Sequence, residues 1–564
     1  MAVRTMQPDK TLLDYAYAHE HDKPDEVALV QPIGAGKIIE FTWAQAMDQA
    51  RRMAAHLIDR GVPPGARIAI LSKNCAHSIM AELAVWMAGG TTVALFPTES
   101  AQNIEYVLAH SEASLLFVGK LDGWPAQSRG IPGSLPCISL PLAAAAEFEA
   151  WDSIVRRTPP LTGRPSRASG QLAMLLYTSG STGQPKGVMH TFRSITQVAE
   201  RLVADEIEWL PAGLEWRMLS YLPLSHVYER ATVECRFLCS GRGRVFFGES
   251  ADTFIEDLRR ARPTLFCSVP RLWLKLQQAI LRAVPQERID ASMADPTHAA
   301  DDARAILSGI GLDQVQVAIS GSAPLPDTLL HWWRRLGLNL LEGYAMTEDF
   351  CYSHVSTSER RSAGYVGAPR KGVETRIGDG GEILIKSPGR FAGYYRRPDL
   401  DAESFTEDGF FRTGDVGEQN AEGLLKITGR LKELFKTAKG KYIAPAPIEN
   451  RLNAHPLVEL SLVTGVGQAA PFAVLMLSEV HDPHVGEEAW RSKADEELRG
   501  LLRSVNDGLA VHERLRMLVV LRERWSIENG CLTPTLKIKR GRIEAQLRPR
   551  IDAWYAEPAE VLWA

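Results

Sequence analysis

The chain has 564 residues, more than one compact core normally holds, so its length predicts at least two domains. Its 64 basic and 68 acidic residues give a net charge of −4, which excludes a general attraction to nucleic acid. With 45% hydrophobic and 23% charged residues, the composition is that of an ordinary globular protein rather than of a disordered or fibrous one.

The cysteines and the N-terminus bear on the compartment. The seven cysteines are scattered along the chain and odd in number, which argues against a disulfide framework or a zinc site and favours a reducing compartment. The first 21 residues contain no apolar stretch typical of a secretion signal. We therefore expect a cytoplasmic protein whose membrane contact is peripheral at most.

Short apolar runs alternate with amphipathic stretches through most of the chain. The first such series predicts, in order, a strand at 67–72, a helix at 76–89, a strand at 91–96, a helix at 101–112 and a strand at 114–119. The same rhythm returns with strands at 264–270 and 314–320 and helices at 271–284 and 326–337. This β-α-β order predicts an α/β fold with parallel sheets covered by helices.

Three segments need separate treatment. Residues 78–97 are long enough to cross a bilayer, but Glu82 and the Gly89-Gly90 pair favour a buried helix, a turn and a strand. The Pro-, Ser- and Gly-rich segment 128–170 is expected to wrap the surface, and the polar segment 286–304 to form a solvated excursion between helices.

The pattern of charged and apolar residues changes after Arg430. The basic stretch "LKELFKTAKGKYIAP" is followed by short strands and helices, which predicts a smaller α+β domain of ordinary size. We therefore expect a large N-terminal domain at 1–430 and a small, mobile C-terminal domain at 431–564.

The stretch "LLYTSGSTGQPKGVMH" (175–190) is the most informative in the chain. An apolar strand at 171–178 leads into small residues whose backbone N–H groups can turn toward an anion, and Lys186 adds a positive charge. It is not a Walker A loop, because Pro185 stands where that pattern needs its second glycine and Gly187 where it needs Ser or Thr. A plain connector loop is the competing interpretation.

Taken as a whole, "YTSGSTGQPKG" resembles the signature of the adenylate-forming superfamily, which includes acyl-CoA synthetases, peptide-synthetase adenylation domains and firefly-type luciferases. The resemblance implies that this loop holds the phosphates of ATP. The residues concerned are Thr178, Ser179, Gly180, Ser181, Thr182, Gly183 and Lys186.

Two further motifs follow in chain order. "YLPLSHVYER" (221–230) is similar to the second family motif, and the resemblance places His226 near the acyl carboxylate. The three residues that end this motif are interpreted as packing or ion-pair residues. "AISGSAPL" (318–325) reads as a strand running into a turn, and the resemblance implies that Gly321, Ser322 and Ala323 line the adenine pocket. A plain strand-to-helix turn is the alternative here.

"LLEGYAMTED" (340–349) is similar to the fifth family motif. By the resemblance, Tyr344 stacks on adenine, Thr347 bonds the α-phosphate and Glu348 ligates Mg²⁺, a hard ion that prefers oxygen ligands. Thr178 is assigned as a second metal ligand. The remaining cofactor-binding residues of the motif are Gly343, Ala345 and Met346, where Ala345 replaces the glycine more usual in the family.

The ribose and hinge motifs come next. "FRTGD" (411–415) resembles the ribose motif, and the two oxygens of Asp415 can accept from both ribose hydroxyls. "GRLKELFKTAKGKYIAPAPIE" (429–449) resembles the domain hinge. The resemblance implies that Arg430 reaches the ribose or phosphate, Lys432 lies at the hinge and Gly440 lies along the pantetheine path.

"NGCLTPTLKIKR" (529–540) resembles the last motif, with Lys537 as the adenylation lysine and Lys539 as the alternative. Leu536 stands where most relatives have glycine. This motif and the hinge motif resemble the long-chain acyl-CoA synthetase branch. The seven motifs occur in family order and cover nearly the whole chain.

The resemblance implies an ATP-dependent, AMP-forming fatty acid–CoA ligase for medium to long chains, with ATP, Mg²⁺ and coenzyme A as its small-molecule partners. An aryl or other acid as substrate, and a fatty acyl-AMP ligase that loads a carrier protein, stay open as alternatives. From a different class comes a non-catalytic binding protein. The oligomeric state is not readable from the sequence.

Overall fold

The computed structural model describes residues 10–145, 147–179, 184–479, 481, 485, 487–533 and 535–564. The chain forms a large N-terminal α/β domain and a smaller C-terminal domain, which confirms the predicted fold class. The predicted loop residues Gly180, Ser181, Thr182 and Gly183 lie outside the described residues.

The largest sheet runs through the core of the N-terminal domain and, in the part of the chain just given, has eight strands. In spatial order these are Gly393–Tyr394, Pro185–Thr191, Leu172–Ser179, Thr91–Leu95, Arg67–Leu71, Ala113–Val118, Cys137–Ser139 and Glu149–Ala150. From Leu172–Ser179 onward each pair of neighbours is parallel, as predicted. Thr91–Leu95 is buried at every position, as expected for a parallel strand covered on both faces.

Helices cover the sheets of this domain. They are Leu12–Asp22, Trp43–Asp59, Ala76–Met87, Ala101–Ser111, Trp124–Gln127, Trp151–Arg157, Phe192–Trp209, Val227–Glu229, Arg236–Ser240, Phe254–Ala261, Pro270–Ala283, Gln286–Ala294, Ala299–Ser308, Asp327–Arg335 and Pro398–Ser404. Shorter turns of 3₁₀-helix are Ser128–Gly130, Thr347–Asp349 and Asp379–Gly381, and Arg230–Cys235 is a π-helix.

A second sheet carries two of the predicted motifs at its strand ends. Its strands in spatial order are Leu265–Ser268, Val317–Ser320, Leu340–Tyr344, His354–Val355 and Ala368–Pro369. The first three are parallel, so Gly321 and Tyr344 come together at one edge. The carboxyl ends of parallel strands are where such sheets commonly bind ligands.

Two smaller sheets complete the large domain. One contains Arg217–Ser220, Arg244–Phe247, Val27–Pro32 and Ile38–Thr42. The other is antiparallel and contains Glu374–Ile377, Glu382–Lys386, Phe411–Gln419 and Leu425–Arg430. Asp415 and Arg430 are paired in its last two strands, which brings the ribose motif and the hinge motif together.

The C-terminal domain has its own sheet and its own core. The sheet consists of Val458–Thr464, Phe472–Leu477, Leu518–Leu521 and Val561–Trp563, and it packs with helices Pro445–Asn453, Glu488–Asp507 and Arg540–Ala556. The 3₁₀ turn Leu431–Glu433 and a two-stranded ribbon, Phe435–Lys436 with Tyr442–Ile443, lie between this unit and the large domain's last strand.

Two predictions about surface segments are wrong. Segment 286–304 is not an excursion, because Gln286–Ala294 and Ala299–Ser308 are helices that bury Ile289 and Leu307. Segment 128–170 is not merely a surface wrap, because two short strands within it extend the largest sheet. These strands have three and two residues, too few to produce a readable alternation.

The segment 78–97 forms the predicted helix, turn and strand. Ala76–Met87 is buried on every side, Gly89 adopts a positive φ of 85°, and Thr91–Leu95 follows. Across the described residues, no helix combines the length and the apolar character that a membrane crossing requires.

Candidate active site

A cleft of about 2180 Å³ lies between the two domains. The large domain contributes the ends of its strands and the helix Pro270–Ala283, and the small domain contributes the segment around Lys537. The predicted residues that line it are Thr178, Lys186, His226, Gly321, Ser322, Ala323, Gly343, Tyr344, Ala345, Met346, Thr347, Glu348, Asp415, Arg430, Lys432 and Lys537. One cleft therefore unites motifs that are up to 360 residues apart.

The two ends of the signature motif lie in paired antiparallel strands. Thr178 pairs with Lys186, so these two residues of the motif lie opposite one another. Lys186 is half-buried, and burial followed by the nearby Lys432 lowers its pKa. Its Nζ lies 5.2 Å from the centre of the Tyr394 ring.

The end of the motif "LLEGYAMTED" is held by a tight 3₁₀ turn, Thr347–Asp349. Asp349 caps the 3₁₀ turn by accepting a hydrogen bond from the Met346 N–H at 3.0 Å. Burial raises the pKa of Asp349 to about 7. His190, at the end of the signature hairpin, bonds the Thr347 carbonyl through Nε2 at 2.8 Å. Glu348 is half-buried, and its Oε1 accepts a hydrogen bond from the Tyr394 hydroxyl at 2.7 Å.

His226 begins the short helix Val227–Glu229 and caps it. Its Nδ1 accepts from the Tyr228 N–H at 3.1 Å, so in the neutral ring Nε2 carries the proton and is a donor. Burial, and then Lys537, lower the pKa of His226 to about 3. The ring is therefore neutral at physiological pH and offers one N–H to an oxygen in the cleft.

A buried charged network lies beneath His226. Arg230 pairs with Glu82 and, at 2.8 Å, with Glu234, and all three side chains are at most 4% exposed. Tyr228 packs in the core and donates its hydroxyl to the Ile319 carbonyl at 3.0 Å. The interpretation of this motif's last residues is confirmed for Tyr228, which packs in the core, and for Arg230, which forms ion pairs.

Glu229 is predicted to make stability depend on pH. It is fully buried, accepts from Asn74 at 3.2 Å and from the Tyr221 N–H at 3.1 Å, and burial raises its pKa to about 8 from 4.5. The folded state therefore holds this proton more tightly than the unfolded state. Stability from this group is complete below pH 4.5 and is lost as the pH rises to about 8.

We expect Glu229→Gln to flatten the decline of the unfolding free energy between pH 6.5 and 8, by up to about 1.4 kcal/mol per pH unit. Buried histidines such as His190 have lowered pKa values and act only below their ordinary 6.5, so they do not disturb this window. Urea unfolding of both proteins at several pH values measures the slopes. Parallel slopes would contradict the assignment.

The predicted adenine pocket lies at the edge of the second sheet. After strand Val317–Ser320 the chain turns through Gly321 and Ser322, and Ser322 adopts a left-handed φ of 70°. Such strain in a residue other than glycine is common at binding sites. At the end of the neighbouring strand, the Tyr344 ring is half-buried, and the adjacent Gly343, Ala345 and Met346 line the cleft.

Asp415 is engaged from two sides. The Tyr344 hydroxyl donates to its Oδ2 at 2.7 Å, and Arg430 Nε donates to its Oδ1 at 2.7 Å. Each oxygen retains a second lone pair for a ligand hydroxyl. The charge of Asp415 is also the main reason why the pKa of Arg430 is raised.

Lys537 reaches the cleft from the small domain. A turn fixes it: the Lys537 N–H donates to Thr533 Oγ1 at 3.1 Å, and Leu536 takes a left-handed φ of 60°. The Lys537 side chain is exposed to the cleft, and desolvation by the nearby protein, followed by Arg430, lowers its pKa, while Asp415 acts in the opposite direction. Lys539 also lines the cleft, and its charge opposes the rise in pKa that burial causes at Glu99.

Two predicted residues need comment. Lys432 is exposed in the 3₁₀ turn between the domains and lines the cleft. Gly440 does not line it; it has a positive φ of 74° in an exposed turn of the ribbon. In addition, Arg271 of the large domain pairs with Glu459 of the small domain, so charge also joins the two.

Sequence reasoning missed two residues of the site, His190 and Tyr394. His190 lies near the end of the hairpin strand Pro185–Thr191. It follows the last residue of the signature, Gly187, by only three positions, and this closeness in sequence was the available signal. Tyr394 lies in "GYYRRPD", outside every motif used, and only its pairing with the hairpin brings it to the cleft.

Comparison with known proteins defines the class to which this two-domain fold belongs. A family model described as "AMP-binding enzyme" matches residues 17–395, and one described as "AMP-binding enzyme C-terminal domain" matches residues 433–559. The chain therefore belongs to the AMP-binding enzyme family, and the resemblance to the adenylate-forming superfamily is confirmed.

Curated relatives cover almost the whole chain. Long-chain-fatty-acid–CoA ligase FadD15 of Mycobacterium tuberculosis is 31% identical over 96% of this chain and 96% of its own length. Human long-chain-fatty-acid–CoA ligase 1 is 28% identical over 92% of this chain and 82% of its own length.

Solved structures show the same fold. The A domain of a carboxylic acid reductase from Segniliparus rugosus, in complex with AMP and a co-purified carboxylic acid, superimposes with a TM-score of 0.81 at 23% identity, covering 98% of this chain and 95% of that one. The anthranilate CoA ligase AuaEII, in complex with anthranoyl-AMP, gives 0.78 at 20% identity, with 98% and 100% covered.

Proposed function

We propose that this protein is an ATP-dependent, AMP-forming fatty acid–CoA ligase for medium to long chains. The observation that carries the proposal is the lysine of the small domain, Lys537, standing in the cleft with His226, Asp415 and Arg430 around it. The names of the curated relatives support a fatty acid and CoA as substrates.

In the first half-reaction an oxygen of the carboxylate attacks the α-phosphorus of ATP, and pyrophosphate leaves with the electrons of the broken P–O bond. Negative charge builds on phosphoryl oxygens, so positioned cations and donors matter more than a base. We assign Lys186, Lys537 and Thr347, together with the signature loop, to this charge. The neutral His226 donates Nε2–H to the acyl carboxylate.

The residues present fit a magnesium ion held mainly by its substrate. Within the described residues, no cluster of three or more His, Cys, Asp or Glu side chains could hold a metal alone. Mg²⁺ typically takes one or two carboxylates, with phosphate oxygens and waters completing its shell. Glu348 supplies the carboxylate and Thr178 a hydroxyl, and the bound ion would neutralise phosphate charge.

For the nucleotide, we assign adenine to the wall between Gly321–Ala323 and Tyr344. The ribose hydroxyls bond to Asp415, whose oxygens point at the cleft from the antiparallel sheet. Arg430 stays beside the ribose or phosphate. These roles are supported by the neighbouring parallel strands that end beside Gly321 and at Tyr344, and by the paired strands that carry Asp415 and Arg430.

In the second half-reaction the thiol of CoA attacks the acyl carbonyl, the acyl–phosphate bond breaks and AMP leaves. Lys537 is not needed in this step, so we propose that the small domain rotates about Lys432 and that Gly440 then lines the pantetheine path. We place the domain boundary between Arg430 and Leu431. The two matched family segments, which end at 395 and begin at 433, are consistent with that boundary.

The acid is the least constrained substrate. The lining of the cleft includes the apolar side chains of Val227, Ile319 and Cys351, which suits an alkyl chain. An aryl acid is the second candidate, because structural neighbours of the same fold hold aromatic acyl-AMP. A carrier protein in place of CoA is the third, since another neighbour is the A-PCP didomain of a carboxylic acid reductase, in which the adenylation domain is joined to a carrier domain.

Pyrophosphate release across a panel of saturated and aryl acids, with and without CoA, tests the proposal. We expect turnover only with ATP and Mg²⁺, the highest kcat/KM for medium to long alkyl acids, and multiple turnovers only when CoA is present. Release of ADP and orthophosphate, or no reaction with any acid, would overturn it. Single turnover in the presence of CoA would favour a carrier-protein acceptor.

The cytoplasm remains the proposed location. The seven cysteines are free thiols in the structure, which suits a reducing compartment. Non-reducing mass spectrometry of the protein isolated from its source would show seven unmodified thiols if this is right, and disulfides if it is not.

A further inference from the structure

Tyr394 contacts both Glu348, which we assign to Mg²⁺, and Lys186, which we assign to the phosphates of ATP. Its hydroxyl donates to Glu348 Oε1 at 2.7 Å, and Lys186 Nζ lies 5.2 Å from the centre of its ring. The tyrosine is only 6% exposed.

The position of Tyr394 is fixed by backbone as well as by packing. Gly393–Tyr394 pairs with the hairpin strand that carries Lys186, in the register of Tyr394 opposite Val188. The Tyr394 N–H donates to Asp401 at 2.8 Å, and the Phe391 ring centre lies 4.9 Å away. The Phe391 N–H also donates to the Glu348 carbonyl at 2.8 Å. The tyrosine is therefore a rigid support.

The contact leaves the metal-binding face of the carboxylate open. Tyr394 donates to Oε1, and among the described residues none donates a hydrogen bond to Oε2. A carboxylate that ligates a metal is usually oriented by a hydrogen bond to its other oxygen, and loss of that bond typically weakens metal affinity about 10- to 100-fold.

The aromatic ring of Tyr394 also positions Lys186. Lys186 lies opposite Thr178 in the paired strands and has a long, flexible side chain, and an aromatic face attracts an ammonium within about 6 Å. Held there, the ammonium is kept near Glu348, and no ion pair joins it to a carboxylate among the residues that the structure describes. One side chain thus orders a cation and an anion that must meet the same triphosphate.

We propose that Tyr394 is a positioning residue that presents Glu348 to Mg²⁺ through its hydroxyl and Lys186 to the phosphates of ATP through its ring. The inference rests on the proposed function, since it assigns how that site is ordered. Tyr394 acts through Glu348 and Lys186 and makes no bond to the reacting atoms.

The test compares ATP binding by calorimetry in EDTA and in Mg²⁺, with no acid present. For Tyr394→Phe we expect ATP affinity in EDTA within about twofold of the original, and a gain in affinity on adding Mg²⁺ that is reduced about 10-fold or more. Tyr394→Leu should also weaken binding in EDTA, because it removes the ring. The Mg²⁺ concentration for half-maximal pyrophosphate release should rise in parallel for Tyr394→Phe.

Tyr395→Phe is the matched control, because it removes a hydroxyl from the next residue, whose ring faces His110. It should leave both measurements unchanged. In a Glu348→Gln background, Tyr394→Phe should have no further effect on the gain from Mg²⁺. If Tyr394→Phe behaves like Tyr395→Phe while the original protein binds ATP and releases pyrophosphate, the inference is wrong; if the original protein does neither, the proposed function fails.

Discussion

Lys537→Ala is expected to lower pyrophosphate release about 10²- to 10³-fold, the usual effect of removing one group that stabilises transition-state charge. Thioester formation from supplied acyl-AMP and CoA should stay within a few-fold of the original rate. In the structure Lys537 lines the cleft with His226, Asp415 and Arg430, and in the proposed rotation of the small domain it leaves them before the thioester forms. Single-turnover assays of each half-reaction measure the two rates separately.

Lys539→Ala is the control for this prediction. It removes the same charge two residues further on, at a lysine whose charge acts on Glu99, whereas the charge of Lys537 acts on His226. We expect a change of no more than a few-fold. A large loss in Lys539→Ala with none in Lys537→Ala would transfer the role to Lys539, and equal loss of both half-reactions in folded Lys537→Ala would contradict the rotation of the small domain.

Arg230→Met is expected to cause the largest loss of stability, about 3–5 kcal/mol, because it leaves buried charges without their partner. Glu82 and Glu234 are each 1% exposed, and Arg230 lies between them with its Nε donating to the Leu224 carbonyl at 2.7 Å. Without the guanidinium, two carboxylates face one another in the core. Urea unfolding at pH 7 measures the effect.

The neutral triple variant Glu82→Gln, Arg230→Met, Glu234→Gln separates charge from packing. It keeps the volume of the cluster but removes its charges, so we expect it to recover at least half of the stability lost in Arg230→Met. If the triple variant is as unstable as the single one, packing around the π-helix Arg230–Cys235, rather than unpaired charge, would account for the loss.

The sequence predicted the site better than the surface of the fold. The strand at 171–178 and the helix at 76–89 were found to within a residue or two, because long apolar runs reveal burial directly. The strands Cys137–Ser139 and Glu149–Ala150 were missed, because their pairing is decided by neighbours far along the chain rather than by their own pattern.

For the site, the motifs predicted which residues line the cleft. They did not predict the hydrogen bonds that join one motif to another. Nothing in "LLEGYAMTED" indicates that the Tyr344 hydroxyl would bond Asp415, 71 residues away. Similarly, Tyr394 belongs to no motif used, and it reaches Glu348 only through a two-residue strand. Residues 180–183 of the signature lie outside the described structure, and their role stays a prediction.

The bond between Asp415 and Arg430 has a mechanical consequence. Arg430 ends the last strand of the large domain, two residues before the proposed hinge, and it grips the same carboxylate that we assign to ribose. In the proposed cycle, departure of the nucleotide changes the surroundings of the Asp415–Arg430 pair, which lies just before the hinge. We therefore expect release of AMP and rotation of the small domain to be coupled steps.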